Sequence, residues 1–522
     1  MSNAIIPPPG DARPENRDLS AEFAPSVLRE DPAGLARFVG MAGASAAIFG
    51  GAVLLISRYR QTAVGAGWSV FALMIGVAGL LFHAAFDRDV QYRRLYAYFG
   101  FIAGAVGAFL CVLPYPNAAG DQFAFGFLCL SLSLLFELAV LRNETEPVSR
   151  KIVQMFFLGG GGIMALVGLI GGNLRADFLL PFGLLLTLLG LVYLTAFVVT
   201  RGIENDLAYL IGQAMSGAGA LVFVIAVGRS MYGWLRKGSP GASDYLVPAG
   251  FVLSIVGIIY AFTSVLLVSD NRYFVLIRRE LTTFFYSPIA YVVLAAYSVA
   301  HWISYFLFLA RVASEQAPIP EPIVSGFILQ WASVIATIIL IPVLTMRLFS
   351  EEHRSGTFEV LMTTPVSEVA VTLSKFIAAL IMFLVTWIPF GLLLIALRFI
   401  GGAPFDYRPL LGFFLGLLVT GSAFISIGVF FSSLTKSQIG SGVLTCIALL
   451  TLTMLFLVRF ELQERLGATS VWVVILHHIS YLDIWIETLD GRLIPMYLMF
   501  QACLAAFFLF LTVKVLESRR WV

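Results

Sequence analysis

Long apolar runs recur along almost the whole chain and constrain its fold more than any other feature. A helix rises 1.5 Å per residue, so a bilayer core about 30 Å thick is crossed by about 20 residues. Runs of that kind occur fourteen times between residues 35 and 514. They are too long and too uniformly apolar for the alternating strands of a membrane barrel. We therefore predict an all-α, polytopic integral membrane protein with about fourteen transmembrane helices.

The predicted spans form a first group of eight and a second group of six. The first group covers residues 35–57, 65–86, 95–113, 122–141, 152–172, 178–200, 207–228 and 245–268, and the second covers 289–310, 324–346, 371–397, 409–432, 438–458 and 493–514. Charged residues make up only 12% of the chain, against about a quarter in soluble proteins. Lipid must therefore surround most of the protein surface.

Three parts of the chain follow from this pattern. Residues 1–34 are polar and proline-rich, lack the apolar centre of a signal peptide, and predict a disordered cytoplasmic tail. Residues 35–270 predict an eight-span membrane module of unknown role, and residues 271–522 a six-span unit. The distribution of Lys and Arg between the loops predicts that both termini face the cytoplasm from the inner (plasma) membrane.

An amphipathic segment, residues 273–287, precedes the ninth span. Its apolar residues occur at helical spacing, with Arg279 and Glu280 turned away from them. This pattern favours a helix that lies in the inner interface and ends at Pro288, and the alternative is a cytoplasmic extension of the ninth span. The candidate residues of this interfacial helix are Arg278, Arg279, Glu280, Phe284 and Pro288.

The polar stretch "SEEHRSGTFEVLMTTPVS", residues 350–367, lies in an elbow (residues 347–370) between the tenth and eleventh spans. Ser350 is predicted to cap a short helix that Gly356 ends. Thr364 and Pro365 are predicted to begin the next helix, which continues past Lys375 into the eleventh span. Composition alone favours a well-capped loop with solvated charges.

Few residues suggest chemistry elsewhere. No GxxxxGK[ST] phosphate loop occurs, so the chain is not predicted to hydrolyse ATP, and we expect no catalytic residue, bound cofactor, metal or nucleic-acid partner. His301 is nearest to a span centre and is predicted to pack between helices, with a role in a transport pathway as the alternative. Glu137 and His83 are predicted to reach the inner interface. The adjacent pair His477 and His478 favours an aromatic interface over a metal site.

The order of parts over residues 273–522 resembles the permease subunit of type-2 ABC transporters, and within that class the gliding-motility permeases and relatives associated with copper-enzyme maturation. The resemblance rests on the interfacial helix, the two spans that lead to the elbow, the four spans that follow, and the pattern E-E-x-x-x-G-T-x-E-x-L-x-x-x-P-V with a later lysine. In this chain the pattern uses Glu351, Glu352, Gly356, Thr357, Glu359, Leu361, Pro365, Val366 and Lys375.

The resemblance implies a fold with an ABC exporter-type core and a role for the elbow. A separate cytoplasmic ATPase subunit, which carries ATP and Mg²⁺, would bind the elbow through Glu351, Glu352, Arg354, Gly356, Thr357, Glu359, Leu361, Pro365 and Lys375, with the interfacial helix as a second contact. A second permease half would complete the transporter, as a homodimer or heterodimer, and a periplasmic accessory subunit is a further expected partner. The substrate is unidentified and the expected direction is export. The alternatives are a membrane scaffold or sensor that reuses this fold, and a membrane-embedded transferase.

Overall fold

The structure is a computed structural model that describes most of the chain. The described residues are 32–60, 66–87, 89–112, 119–174, 182–202, 204–235, 250–314, 326, 328–356, 366–391, 408–467 and 469–520. All regular secondary structure within these ranges is helical. The predicted all-α fold is therefore confirmed for the described part of the chain.

The described helices are numbered α1 to α18 in chain order. The first five are α1 Pro32–Arg60, α2 Ala66–Phe86, α3 Val90–Val112, α4 Ala119–Asn143 and α5 Pro147–Leu174. The next five are α6 Leu184–Arg201, α7 Asp206–Leu235, α8 Phe251–Val268, α9 Arg272–Tyr286 and α10 Pro288–Ser314. The last eight are α11 Trp331–Thr345, α12 Ser350–Ser355, α13 Glu368–Thr386, α14 Arg408–Leu434, α15 Gln438–Leu466, α16 Val471–Ile479, α17 Tyr481–Leu489 and α18 Pro495–Arg520.

Twelve of the described helices are long and apolar enough to cross a membrane. A thirteenth candidate is the pair α8 and α9, which is bent by 93° at the break between the two helices. The second predicted span corresponds to α2, whose apolar part, Ala72–Phe86, is shorter than the other spans. The described residues thus form a polytopic helical membrane protein with twelve to thirteen candidate spans, compared with the fourteen predicted.

The chain divides into two compact units, Met1–Phe156 and Phe157–Val522, and the division falls within α5. The division predicted at residue 270 from loop lengths and charge stays a prediction about domains. The predicted tail, residues 1–34, lies almost entirely outside the described residues.

Aromatic side chains form the core of the second unit around α14. Phe413 on α14 contacts Trp387, which follows α13, and Trp485 of the short helix α17, with ring centroids 5.7 Å and 5.6 Å away. Trp485 is fully buried and donates a hydrogen bond from Nε1 to Thr420 Oγ1 at 3.1 Å. The short helix α17 is therefore anchored by both packing and a polar contact, as a buried Trp requires.

Small residues bring α7 and α8 into backbone contact. A Cβ built on Gly219 would lie 2.6 Å from the backbone nitrogen of Ala261 and 2.7 Å from the carbonyl oxygen of Gly257. Glycine permits this approach because it has no Cβ, as is common between membrane helices. Gly217, two residues earlier on α7, has open space at the same position.

This contrast predicts opposite effects from one substitution. Gly219→Ala should destabilise the protein by roughly 1–3 kcal/mol, because the added methyl overpacks the seam. Gly217→Ala should be neutral or stabilise by up to about 1 kcal/mol, because Ala is the better helix former. Thermal unfolding of the two purified variants, followed by size-exclusion chromatography after heating, measures the difference. Equal melting temperatures would contradict the close approach of α7 and α8.

Candidate functional site

The elbow contains a short helix, α12, that continues almost directly from α11. Backbone hydrogen bonds run through the turn, from Met346 N to Pro342 O and from Glu351 N to Arg347 O. The predicted N-cap role of Ser350 is wrong, because Ser350 is the first residue of α12 and Phe349 is at the N-cap position. The Ser350 hydroxyl instead donates to the carbonyl of Met346.

The end of α12 agrees with the prediction. Gly356 follows Ser355 with φ of +73°, in the left-handed region. A residue with a Cβ is strained there and glycine is not, so glycine ends the helix.

The helix after the elbow begins later than predicted. Ser367 is the N-cap of α13, and its Oγ accepts a hydrogen bond from the backbone nitrogen of Ala370 at 3.3 Å. Ser367 is as suitable an N-cap as Thr364, and the observed helix starts at Glu368. Residues 357–365 lie outside the described residues, and they include the candidate residues Thr357, Glu359, Leu361 and Pro365.

Lys375, on α13, joins the elbow to the predicted interfacial helix. Its Nζ lies 2.7 Å from Glu352 Oε1 on α12 and 3.1 Å from Glu280 Oε2 on α9. The lysine side chain is only 2% exposed. One buried ammonium group therefore binds carboxylates from two helices that are far apart in the sequence.

The prediction that Glu280 is turned away from the packed face of its helix is wrong. Glu280 is buried, because α9 packs against α13 with the side that carries this residue. Arg279 adds a second positive partner, with its guanidinium 2.8 Å from Glu280 Oε1. Burial raises the pKa of Glu280, but Lys375 and Arg279 outweigh that effect and bring the pKa below its ordinary value.

A charge buried without a partner is costly, whereas a paired and hydrogen-bonded charge is tolerated. Lys375 meets this condition only while Glu280 and Glu352 stay in place. While all three side chains are charged, the pairs therefore favour the arrangement of α9, α12 and α13 in which Lys375 contacts both carboxylates.

Further contacts tie the elbow to other helices. Arg347 forms two hydrogen bonds with Glu351, at 2.9 Å and 3.2 Å, and reaches Ser287 Oγ at 3.4 Å. Ser432 Oγ, on α14, accepts hydrogen bonds from the backbone nitrogens of Phe349 and Ser350, at 3.0 Å and 3.2 Å. The start of α12 is thus attached to the loop between α9 and α10 and to α14.

The other end of the elbow helix contacts the C-terminal helix. His353 Nε2 lies 2.9 Å from the guanidinium of Arg519, which is on α18. Arg519 also donates to the carbonyl of Leu434, at the end of α14, at 3.0 Å. Both faces of α12 are therefore held, while Arg354 is exposed to solvent at its tip.

A cavity of about 460 Å³ opens beside the Lys375 cluster. Arg279, Arg347 and Glu351 contribute to its polar side, and Phe284, Val293 and Leu344 to its apolar side. Phe284 is half-buried and packs against the core of the second unit. Arg279, Glu280 and Phe284 of α9 thus line the same cavity as Glu351, Glu352 and Lys375.

Of two further candidate residues of the interfacial helix, Arg278 bonds to the backbone before α9 and Pro288 follows the end of α9. Arg278 donates from NH2 to the carbonyl of Ser269 at 2.9 Å and so holds the bend between α8 and α9. Pro288 is the first residue of α10, directly after the end of α9 at Tyr286. Proline suits this position because N–H groups in the first turn of a helix have no intrahelical partner, so the absence of an N–H costs no hydrogen bond.

His301 lies in an aromatic cluster. It is fully buried, its Nδ1 is 3.0 Å from the carbonyl oxygen of Tyr297, and its ring contacts Trp387 and Phe390 at centroid distances of 5.0 Å and 5.4 Å. Packing between helices, the first of the two expectations, agrees with this position. The transport-pathway role stays a prediction.

His477 and His478 lie at the end of α16 and both contact Tyr497. His477 Nδ1 is 2.7 Å from the Tyr497 hydroxyl, and the His478 ring makes an edge contact with the Tyr497 ring at 4.9 Å. Asp483 nearby pairs with Arg459 at 2.8 Å. The histidines therefore take part in an aromatic contact, as their surroundings in the sequence indicated.

Sequence reasoning missed three residues of the elbow site, namely Ser432, His353 and Arg519. Ser432 is one of four serines in the otherwise apolar helix α14, and its bonds to the elbow depend on how α14 packs. His353 carried a weak signal as part of the polar stretch, but its partner Arg519 is 166 residues away.

Residues 217–483, just over half of the 522-residue chain, match the family model described as ABC-2 family transporter protein. The match begins within α7, includes α9 and the elbow, and ends within α17. Searches of curated proteins and of solved structures find no significant match.

The lysine cluster predicts a large effect from loss of its central charge. Lys375→Met should destabilise the protein by about 3–5 kcal/mol, because Glu352 loses its ion-pair partner and Glu280 keeps only the half-exposed Arg279. The triple variant Lys375→Met, Glu280→Gln, Glu352→Gln should recover much of that loss, since the only charge it leaves unpaired, that of Arg279, is half exposed. Lys514→Met, at an exposed lysine, is the control and should change stability by no more than about 0.5 kcal/mol. Thermal melting of the purified proteins measures the effect, and a Lys375→Met variant as stable as the control would contradict the cluster.

Proposed function

Because the chain belongs to the ABC-2 family of transporter proteins, we propose that its membrane helices are driven by ATP hydrolysis on a separate cytoplasmic ABC ATPase subunit. The chain itself is a multi-pass membrane permease rather than an enzyme. ATP and Mg²⁺ would bind to the ATPase partner, and the elbow is the part of the permease that the ATPase contacts.

The observation that carries this proposal is the shared bond of Lys375 to Glu352 and Glu280. A movement of an attached ATPase must reach the membrane helices through a stiff connection. Residues 350–355 form a helix that is bonded directly to α13, α14 and α18. Lys375 of α13 connects it to Glu280 of α9. Displacement of α12 would therefore be transmitted to several membrane helices at once and would not be absorbed by a flexible loop.

The exposed part of the elbow suits a docking surface. Glu351 is half-buried and paired with Arg347, whereas Arg354 is exposed and free to set the register of a charged partner. The described helix leads directly into residues 357–365, where the sequence provides the apolar residues Val360, Leu361 and Met362 as anchors. Charge at the tip and apolar contact beside it are the usual parts of a specific interface.

The remaining parts of the proposal follow from the resemblance of residues 273–522. We propose export of an unidentified substrate, a second permease half as homodimer or heterodimer, and a gliding-motility type of assembly with a periplasmic accessory subunit. Both termini are placed in the cytoplasm, which puts the elbow on the side where the ATPase is found. A scaffold or sensor would instead stimulate its ATPase without moving a substrate.

Reversal of the exposed charge at the elbow tests the docking surface. Arg354→Glu should lower recovery of the ATPase subunit on affinity purification of the permease at least tenfold, because a positive contact becomes repulsive. Arg465→Glu, also at an exposed helical arginine but near the end of α15, should leave recovery unchanged. Equal recovery with both variants would contradict docking at α12.

A double variant tests the neighbouring part of the elbow. Glu359→Arg with Leu361→Asp should abolish co-purification of the ATPase, because it reverses one charge and removes an apolar anchor. Membrane insertion should be unaffected, since both residues lie between the predicted spans. Quantitative blotting of the membrane fraction and of the purified complex checks the two statements, and unchanged co-purification would remove the role assigned to this segment.

A further inference from the structure

A buried carboxyl group lies in the first unit, away from the elbow. Glu137 is on α4, six residues before the helix ends at Asn143, and is fully buried. Neither of its oxygens has a hydrogen-bond partner among the described residues. The prediction that Glu137 reaches the inner interface is wrong, because α3 packs directly over this position.

Glycines on α3 make room for the polar groups of α4. A Cβ on Gly100 would lie 2.6 Å from Glu137 Oε1, and a Cβ on Gly104 would lie 2.7 Å from Ser133 Oγ. Ser133 is also buried and its hydroxyl has no partner among the described residues. Because Ser133 and Glu137 are four residues apart, they lie on the same face of α4. The seam between α3 and α4 therefore encloses two adjacent polar side chains.

The buried charged group of α3, Arg93, is engaged elsewhere. Arg93 is seven residues before Gly100, which places it about 10 Å along the helix. Its guanidinium donates to the backbone carbonyl of Asn143 and lies 3.5 Å from Glu144. It therefore provides no direct counter-charge for Glu137.

Three titratable groups on α3 and at the end of α2 bind one another. Tyr96, one turn before Gly100, has its hydroxyl 2.8 Å from His83 Nδ1 of α2. His83 Nε2 is in turn 2.9 Å from Asp87, which Arg37 also contacts at 3.1 Å. Burial raises the pKa of Asp87, but its bonds to the Asp89 backbone, Arg37 and His83 outweigh burial and lower it. Asp87 is thus a satisfied anion, in contrast to Glu137.

We propose that Glu137 is a proton-binding site in the first unit. An ionised carboxylate without a counter-charge is unfavourable in surroundings of this kind, and a bound proton removes the charge. A metal ion fits less well, because among the described residues the side-chain oxygens identified in this seam are those of Ser133 and Glu137, and Ca²⁺, for example, takes six to eight ligands. The site stands independently of the permease assignment, since it lies outside the region that matches the family.

Proton release from Glu137 would place a negative charge in the α3–α4 seam. Ser133 lies one turn before Glu137 on α4, and Tyr96 lies one turn before Gly100 on α3. The bonded series Tyr96, His83 and Asp87 leads from α3 to Arg37, whose side chain is half exposed.

Infrared spectroscopy of the full chain in lipid bilayers tests the proposal. At pH 7 the wild type should show a free-acid carbonyl band that is absent from Glu137→Gln and retained in Glu146→Gln, since Glu146 is exposed. The band should shift after transfer to D₂O and lose intensity as the pH is raised. Gln has the shape of the neutral acid, so this variant is expected to fold. Should it not fold, Glu137→Asp replaces it, because it moves the band and does not remove it.

Two results would overturn the proposal. An identical carbonyl region in wild type and Glu137→Gln would show that the carboxyl is ionised at pH 7. A band that is unchanged by D₂O and constant from acid to alkaline pH would show a permanently protonated structural group that exchanges no proton.

Discussion

The bond of one buried lysine to two carboxylates holds together the part of this permease on which the proposed function depends. Lys375 belongs to a membrane helix, Glu352 to the elbow and Glu280 to the helix after the bend. None of the three charges would be stable in its position alone, because burial without a partner is unfavourable. Their mutual dependence makes α12 a fixed extension of the membrane helices.

The contacts around this cluster use short-range polar groups at helix ends. Ser432 binds two backbone nitrogens at the start of α12, and Arg519 binds both His353 and the last carbonyl of α14. Groups at helix ends are available because their intrahelical partners are missing. The elbow therefore bonds to backbone N–H and C=O groups at helix ends, which have no partner within their own helix.

The buried polar groups described above are not all partnered in the same way. In the second unit, the charges of Lys375 and Glu280 are paired, and the Trp485 indole is hydrogen-bonded. In the first unit, Asp87 is paired but Glu137 is not. Lys375 is buried with two carboxylate partners and holds helices together. Glu137 is buried without a partner among the described residues, and such an acid is tolerated when it carries a proton. Glu137 is therefore a candidate for proton exchange.

The sequence by itself determined the membrane character, the helical fold and most of the spans, because apolar length and the need to satisfy backbone groups in lipid leave few alternatives. It also indicated the elbow, where Glu352 and Lys375 belong to one local pattern, and the end of α12, because Gly356 is a local backbone signal. Only the tertiary structure decided that Glu280 joins that pattern and that Glu137 is enclosed, since both depend on which helices pack together. Lys375 and Glu280 are 95 residues apart in the sequence, and Arg519 and His353 are 166 apart. No sequence periodicity indicates that residues so far apart are in contact.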